Sequence, residues 1–170
     1  MSVRAKALCL KVMCEVPMSF RPLLFSLLLS VAPLCAAAQD NWPDLDAVLF
    51  PQLAQGSGVV EAAFFLPDRP TPSQASEAIA IVYEWIQGSA GSTRIVVGHY
   101  TLDHPPLQFT FRGHISNLFG HSPRDPQFLP DRIELTMTTL KDGEPRCCPS
   151  GETRYAIDRT TQQAHVLWTR

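Results

Sequence analysis

The sequence predicts an all-β or β-rich α+β domain of antiparallel strands, arranged as a sandwich or as a small, partly open barrel. Two observations predict it. Short segments of apolar and strand-favouring residues recur at close intervals, and turn-forming Gly, Pro and Asp residues separate them. The strands do not alternate with long helical segments, which is the pattern that indicates a parallel sheet.

The chain begins with a segment that resembles a leader. Residues 23–38, LLFSLLLSVAPLCAAA, form an apolar run that follows Arg21 and ends in small residues, as a secretory signal peptide does. The run is shorter than the roughly 20 residues that a membrane-spanning helix needs. We predict a signal peptide over residues 1–38, with Met18 as an alternative start. The competing interpretation is an uncleaved N-terminal anchor.

Cleavage would leave a single domain over residues 39–170, which is long enough to form one hydrophobic core. This domain has 10 Lys and Arg against 15 Asp and Glu, a net charge of −5. A mildly acidic domain without a basic cluster disfavours nucleic acid and anionic membranes as partners. Because the leader is predicted to be a signal peptide, we expect a periplasmic or secreted protein. We expect no stable membrane insertion after cleavage.

The predicted elements begin with a short helix over residues 44–55, which contains Pro51. Residues 59–66, VVEAAFFL, are rich in residues that favour strands. Residues 77–86, EAIAIVYEWI, fit both a capped helix and a strand with large apolar side chains at every second position. We prefer a hairpin with residues 94–102, because a Gly-rich turn separates the two segments.

The second half of the domain contains the clearest strand pattern, LQFTFRGHI at residues 107–115. Residues 117–131 hold three prolines and are predicted to form the longest loop. Three further strands are expected at residues 132–140, 153–158 and 164–168, which makes seven in all. The alternation over residues 107–115 predicts one buried face formed by Leu107, Phe109, Phe111 and Ile115.

Cys147 and Cys148, within DGEPRCCPSGE, are the candidate functional residues. Of the five cysteines, only these two lie outside the predicted leader, and an exported protein meets an oxidising compartment. Adjacent Cα atoms lie ~3.8 Å apart, below the usual disulfide range of about 4.4–6.8 Å. We favour a vicinal disulfide, which would be strained and readily reduced. Alternatively, one cysteine is buried and the other is exposed or pairs with another chain.

A soft-metal site is the other chemistry that the cysteine pair suggests. Two thiolates and a histidine could bind Cu(I) or Zn²⁺. The sequence leaves open whether the pair binds a metal ion, and we expect no cofactor. None of the histidines stands at a short, metal-like spacing from another or from the cysteines: His99, His104, His114, His121 and His165.

Catalytic motifs are not evident elsewhere in the sequence. The GSAGST segment at residues 88–93 lacks the lysine of a phosphate-binding loop. His121, Ser122 and Asp125 have the residue types of a hydrolase triad, but neighbours in a Pro-rich loop rarely reach its geometry. The aromatic residues are interpreted as core rather than as the lining of a ligand cavity: Phe64, Phe65, Tyr83, Trp85, Phe109, Phe111, Tyr155 and Trp168.

The segment around the cysteines resembles a D-P-R-C-C-P-S-like segment late in a group of uncharacterised exported bacterial proteins. The similarity extends to residues 59–62 and 79–85, but this chain has Gly-Glu-Pro where the group has an aspartate before the proline. The resemblance implies export and a β-rich fold, and it implies no activity. The matching residues are Pro145, Arg146, Cys147, Cys148, Pro149 and Ser150.

The sequence therefore predicts an exported, non-enzymatic β domain that acts as a binding or accessory module for an unknown protein or small ligand. The alternative is a thiol-redox or soft-metal-binding protein centred on Cys147 and Cys148. A hydrolase that uses His121 or another histidine is a third hypothesis.

Overall fold

The computed structural model describes residues 41–54, 59–89 and 92–170, so the predicted signal peptide lies outside the described residues. Two four-residue helices, α1 (Leu45–Val48) and α2 (Phe50–Leu53), come before the strands. The strands are β1 (Val59–Pro67), β2 (Glu77–Trp85), β3 (Thr93–Asp103), β4 (Gln108–His114), β5 (His121–Phe128), β6 (Arg132–Thr139), β7 (Gly151–Asp158) and β8 (Ala164–Thr169).

The strands form two four-stranded antiparallel sheets, each in simple chain order. The first sheet is β1-β2-β3-β4, and the second is β5-β6-β7-β8. Buried side chains of β2, β3, β6 and β7 form one apolar cluster that joins the sheets. The predicted antiparallel sandwich is therefore confirmed. The fully buried members of this cluster include Ile79, Ile81, Ile133, Leu135, Met137 and Ile157.

A second apolar cluster lies on the outer face of the first sheet, where α1 and α2 cover it. Asp44 caps α1 by accepting a hydrogen bond from the backbone of Ala47 at 3.3 Å, and Pro51 stands in the first turn of α2. Gly98 on β3 leaves room for Leu53, since an added Cβ would meet Leu53 Cδ1 at 2.9 Å. In the described part of the chain, no helix has the length and apolar character needed to cross a membrane.

Strand β2 has both faces buried, which explains why its sequence fits two structures. Ile79 and Ile81 point into the cluster between the sheets, whereas Ala78, Ala80 and Val82 point toward the helices. A strand that is buried on both faces is apolar at nearly every position, so a period of two is weak. The preferred hairpin is confirmed, because β2 pairs with β3 over its whole length.

The loop predicted over residues 117–131 is wrong in its central part, where the chain forms strand β5. Among the described strands it lies at the edge of its sheet and pairs with β6, and its register shifts on both sides of Arg124. Ser122 (φ 47°) and Asp125 (φ 52°) have left-handed backbones, and a proline follows each of them. Proline lacks a backbone N–H and is tolerated at edges and bulges, so this Pro-containing segment can pair as an eighth strand.

Strand β4 partly contradicts the single buried face predicted for residues 107–115. Phe109 packs on the helix-covered side, Phe111 is 47% exposed, and Ile115 belongs to the cluster between the sheets. The register shifts opposite the His99–Tyr100 step, and Gly113 has a φ of 154°. This bulge moves the residues after it to the other face of the strand, which pattern alone did not show.

A buried polar cluster ties the two halves of the chain together. Glu77 on β2 accepts hydrogen bonds from His99 Nε2 at 2.9 Å and from the Arg159 guanidinium, and Arg159 also donates to Leu129 O at 2.7 Å. Burial alone would raise the pKa of Glu77, but the hydrogen bonds from His99 and Arg159 lower it to about 2. Glu77 is therefore an ionised carboxylate at neutral pH.

Candidate functional site

A cleft of about 640 Å³ opens where corresponding ends of the two sheets meet. The first sheet contributes the start of β1, the end of β2 and the start of β3. The second sheet contributes the start of β5 and the β6–β7 loop, which carries the cysteine pair. A volume of this size is within the range of about 300–1,000 Å³ typical of small-molecule sites.

One wall of the cleft consists of three packed rings. The ring of Tyr83 stacks on His121, with centroids 5.5 Å apart, and Phe64 meets Tyr83 edge-on at 6.0 Å. Tyr83 Oη donates a hydrogen bond to Gly120 O at 3.0 Å, which links β2 to the segment before β5. Burial raises the pKa of Tyr83 to about 12, so the phenol stays neutral and remains a donor.

Gly120 is required for this contact. Its φ is +118°, and an added Cβ would meet Thr138 O at 2.6 Å and Met137 Cβ at 2.9 Å. Only glycine lets the chain approach β6 closely enough here, with its carbonyl oxygen available to Tyr83. The sequence offered a glycine before a Pro-rich stretch, and nothing in it indicated the partner.

The β6–β7 loop is closed by the side chain of Glu144. Its carboxylate accepts hydrogen bonds from Lys141 N at 3.0 Å, from Ser150 N at 3.0 Å and from Ser150 Oγ. These hydrogen bonds lower the pKa of Glu144 to about 2. Within the loop, Cys148 N donates to Pro145 O at 3.1 Å. Sequence reasoning did not assign Glu144 this role.

The two cysteines lie side by side as exposed thiols. Their Sγ atoms are 2.7 Å apart, longer than the about 2.05 Å of a disulfide bond. The predicted vicinal disulfide is therefore not formed in this structure and stays a prediction for the oxidised protein. The alternative with one buried cysteine does not describe this arrangement, since both side chains are exposed.

The two thiols differ in position and in chemistry. Cys147 lines the cleft together with Arg146 and Pro149, whereas Cys148 is outside the lining that the described residues form. The hydrogen bond with Cys147, partial desolvation and the nearby charge of Glu144 raise the pKa of the Cys148 thiol. A ligand in the cleft would meet Cys147 first.

The predicted triad types are not brought together. His121 and Ser122 line the cleft, but Asp125 lines a separate groove on the outer face of the second sheet. Within residues 41–54, 59–89 and 92–170, no three His, Cys, Asp or Glu side chains are grouped to hold a metal ion. His99 is committed to Glu77, and His104 Nε2 makes a hydrogen bond to Ala75 O at 2.9 Å.

The outer face of the second sheet carries a network of charged side chains. Arg154 is buried, and it donates to Thr136 Oγ1 at 2.9 Å and to Asp125 O at 2.7 Å. Trp168 stands opposite Arg154 on β8, and the Arg170 guanidinium lies 4.9 Å from its ring. The ion pairs of this face are Arg154–Glu134, Arg132–Glu134, Arg124–Glu152 and Arg170–Glu152.

Comparisons of this chain with protein-family models, with curated proteins and with solved structures give no match. The resemblance around Pro145 to Ser150 therefore stays a prediction.

Proposed function

We propose that this protein is an exported, non-enzymatic binding domain of the periplasm or the extracellular space, and that its ligand site is the cleft between the sheets. The observation that carries the proposal is a cleft of small-ligand size, about 640 Å³, lined from both sheets and from the cysteine loop. The sequence prediction of export supplies the compartment.

The lining has the composition of a binding site. Phe64 and Pro149 offer apolar surface, while His121, Ser122 and Arg146 offer hydrogen-bonding groups in the same cleft. Small-molecule sites combine an apolar lining with a few polar groups that fix the orientation of the ligand. A small ligand with an apolar part and a polar part fits this lining.

The cleft is also held in shape before any ligand binds. The hydrogen bond from Tyr83 to Gly120 fixes the aromatic wall, and the Glu144 carboxylate closes the loop that carries Cys147. A preformed site loses little conformational entropy on binding, so more of the contact energy appears as affinity. We therefore infer that the cleft is already formed in the free protein.

A ligand screen followed by NMR on isotope-labelled protein tests the proposal. A ligand of the cleft should shift the resonances of Tyr83, His121 and Arg146 and leave β8 unchanged. Ala62→Trp should fill the cleft and abolish binding, whereas Val59→Trp, at a 68% exposed position on the same strand, should not. Ligand shifts that lie away from the cleft, or equal binding by the Ala62→Trp variant, would contradict it.

Thiol-redox chemistry is the second candidate function, favoured by the contact between the exposed Cys147 and Cys148 sulfurs. Alkylation of the exported protein followed by intact-mass measurement, with and without reduction, tests whether the pair cycles. A monomer that takes up no alkylating group before reduction and two groups after it has a vicinal disulfide. A protein that takes up two groups without reduction even after oxidant treatment has no redox-active pair.

A further inference from the structure

We propose that the oxidised cysteine pair captures a small thiol with amino-acid-like ends, and that Cys147 holds it in the cleft as a mixed disulfide. This inference rests on the proposed function, because the captured thiol is the ligand of the cleft. It adds the chemical class of that ligand and a separate role for each cysteine.

The positions of the two sulfurs decide which one a ligand can reach. Cys147 lines the cleft, whereas Cys148, on the same exposed loop, is not one of the lining residues. A thiolate bound in the cleft therefore attacks Cys147 Sγ. The Sγ atoms are already 2.7 Å apart in the reduced pair, so oxidation by an external disulfide, which takes up the two electrons and two protons and is reduced to two thiols, needs only a small movement of the side chains.

The reaction is a single thiol–disulfide exchange. The ligand sulfur, as the thiolate, attacks Cys147 Sγ, forming the ligand–Cys147 S–S bond and breaking the bond between Cys147 and Cys148. The bonding electron pair leaves on Cys148, whose sulfur takes up the proton that the ligand thiol lost. The ligand thiol is oxidised to a mixed disulfide, and Cys148 is reduced to a thiol.

Strain in the vicinal disulfide favours capture over release. A disulfide between adjacent residues is strained, so opening it by exchange is favourable. For the same reason, attack of the released Cys148 sulfur on the mixed disulfide is unfavourable, because it would re-form the strained bond. The mixed disulfide at Cys147 therefore persists until a second thiol attacks it.

Charged groups in the cleft indicate the ends of the ligand. Arg146 adjoins Cys147, and its guanidinium can bind a carboxylate through two parallel hydrogen bonds. Glu61 on β1 lines the same cleft and can receive an ammonium group. Neither side chain forms an ion pair with another described residue. A thiol with both groups, such as an amino-acid or short-peptide thiol, satisfies both.

Reduced glutathione is a suitable probe, with neutral 2-mercaptoethanol as the reference thiol. The protein is first oxidised with diamide, and intact mass checks for the loss of two hydrogen atoms. After a short reaction and an acid quench, we expect one glutathionyl group per chain, placed on Cys147 by peptide fragmentation. Labelling on Cys148, equal labelling of both cysteines or a pair that diamide does not oxidise would overturn the inference.

Arg146→Gln tests recognition of the carboxylate. It should slow capture of glutathione about tenfold more than capture of 2-mercaptoethanol, because only glutathione has a carboxylate to lose a charged hydrogen bond. Arg112→Gln makes the same charge change at an exposed position on β4, outside the cleft, and should alter neither rate. An Arg146→Gln variant that slows both thiols equally, or neither, argues against the inference.

S-methylglutathione, which cannot react, separates this inference from the proposed function. NMR should show it in the cleft of the double variant Cys147→Ser/Cys148→Ser, with binding abolished by Ala62→Trp. Binding without mixed-disulfide formation in the native protein would leave the binding domain in place and overturn the capture. Capture that Ala62→Trp does not slow would remove the cleft as the ligand site and overturn both.

Discussion

The first sheet buries both of its faces, whereas the second sheet buries only one. On the outer face of the first sheet, α1 and α2 bring Leu49 and Leu53, each 1% exposed, onto the small side chains of β2. The corresponding face of the second sheet carries mainly polar and charged side chains of its own strands, together with Trp168. The same sandwich thus has one apolar and one polar outer layer.

The difference shows that an antiparallel sheet needs a single apolar face for folding, and that its other face is available for other uses. The first sheet uses its outer face for a second core. The second sheet uses it for ion pairs, such as Arg154 with Glu134, that hold neighbouring strands in register. The two layers should therefore respond differently to mutation.

Loss of the apolar layer should cost the most. Leu53→Ala removes a buried side chain that sits against Gly98, and we expect a loss of about 2–5 kcal/mol in the free energy of unfolding. Val48→Ala, at a 42% exposed position in α1, is the matched control and should change little. Urea unfolding followed by tryptophan fluorescence measures both. Equal effects would mean that the helices do not cover the first sheet.

Damage to the polar layer should cost less, because water can reach part of it. Arg154→Met leaves Thr136 Oγ1 and Asp125 O without their donor, and we expect a loss of about 1–3 kcal/mol. Arg170→Met removes an arginine whose side chain is 73% exposed, so its effect should be under about 0.5 kcal/mol. If Arg154→Met proved more damaging than Leu53→Ala, the polar network would be the stronger layer.

Acid should weaken the contact between the two halves of the chain that Glu77 makes with Arg159. Its folded pKa of about 2 lies below the usual glutamate pKa of 4.5, so its contribution to stability is complete above pH 4.5 and is lost as pH falls toward 2. Comparison of Glu77→Gln with the native protein across this range should show a difference in the free energy of unfolding, of at most about 3 kcal/mol, that disappears with acid. Glu61→Gln, an exposed carboxylate, is the control. A pH-independent difference would exclude this carboxylate as the source.

The sequence predicted the sandwich and most strand positions, since most segments keep a strand pattern between clear turns. RIELTMTTL keeps its alternation because β6 has one apolar and one polar face. Strand β5 was missed because Pro123 and Pro126 resemble loop residues, and only pairing with β6 reveals the strand. Long-range pairing of this kind leaves no local signal.

The site was predictable only in part. The Cys-Cys pair is visible in the sequence, and so is its Pro-rich surrounding. The partners in the cleft come from segments far apart in the chain, such as Tyr83 on β2 and His121 on β5. Only the arrangement of the two sheets brings them together, because neither residue has a spacing that relates it to the cysteines.

Each sheet consists of one uninterrupted stretch of chain, residues 59–114 and residues 121–169. During synthesis from the N-terminus, all strands of the first sheet are available before any strand of the second. The inner apolar face of the first sheet then awaits the C-terminal half, and the cleft comes into existence only when the halves dock. A ligand of the cleft would bind only the docked form. It would therefore stabilise the association of the two halves by mass action and would not stabilise either half alone.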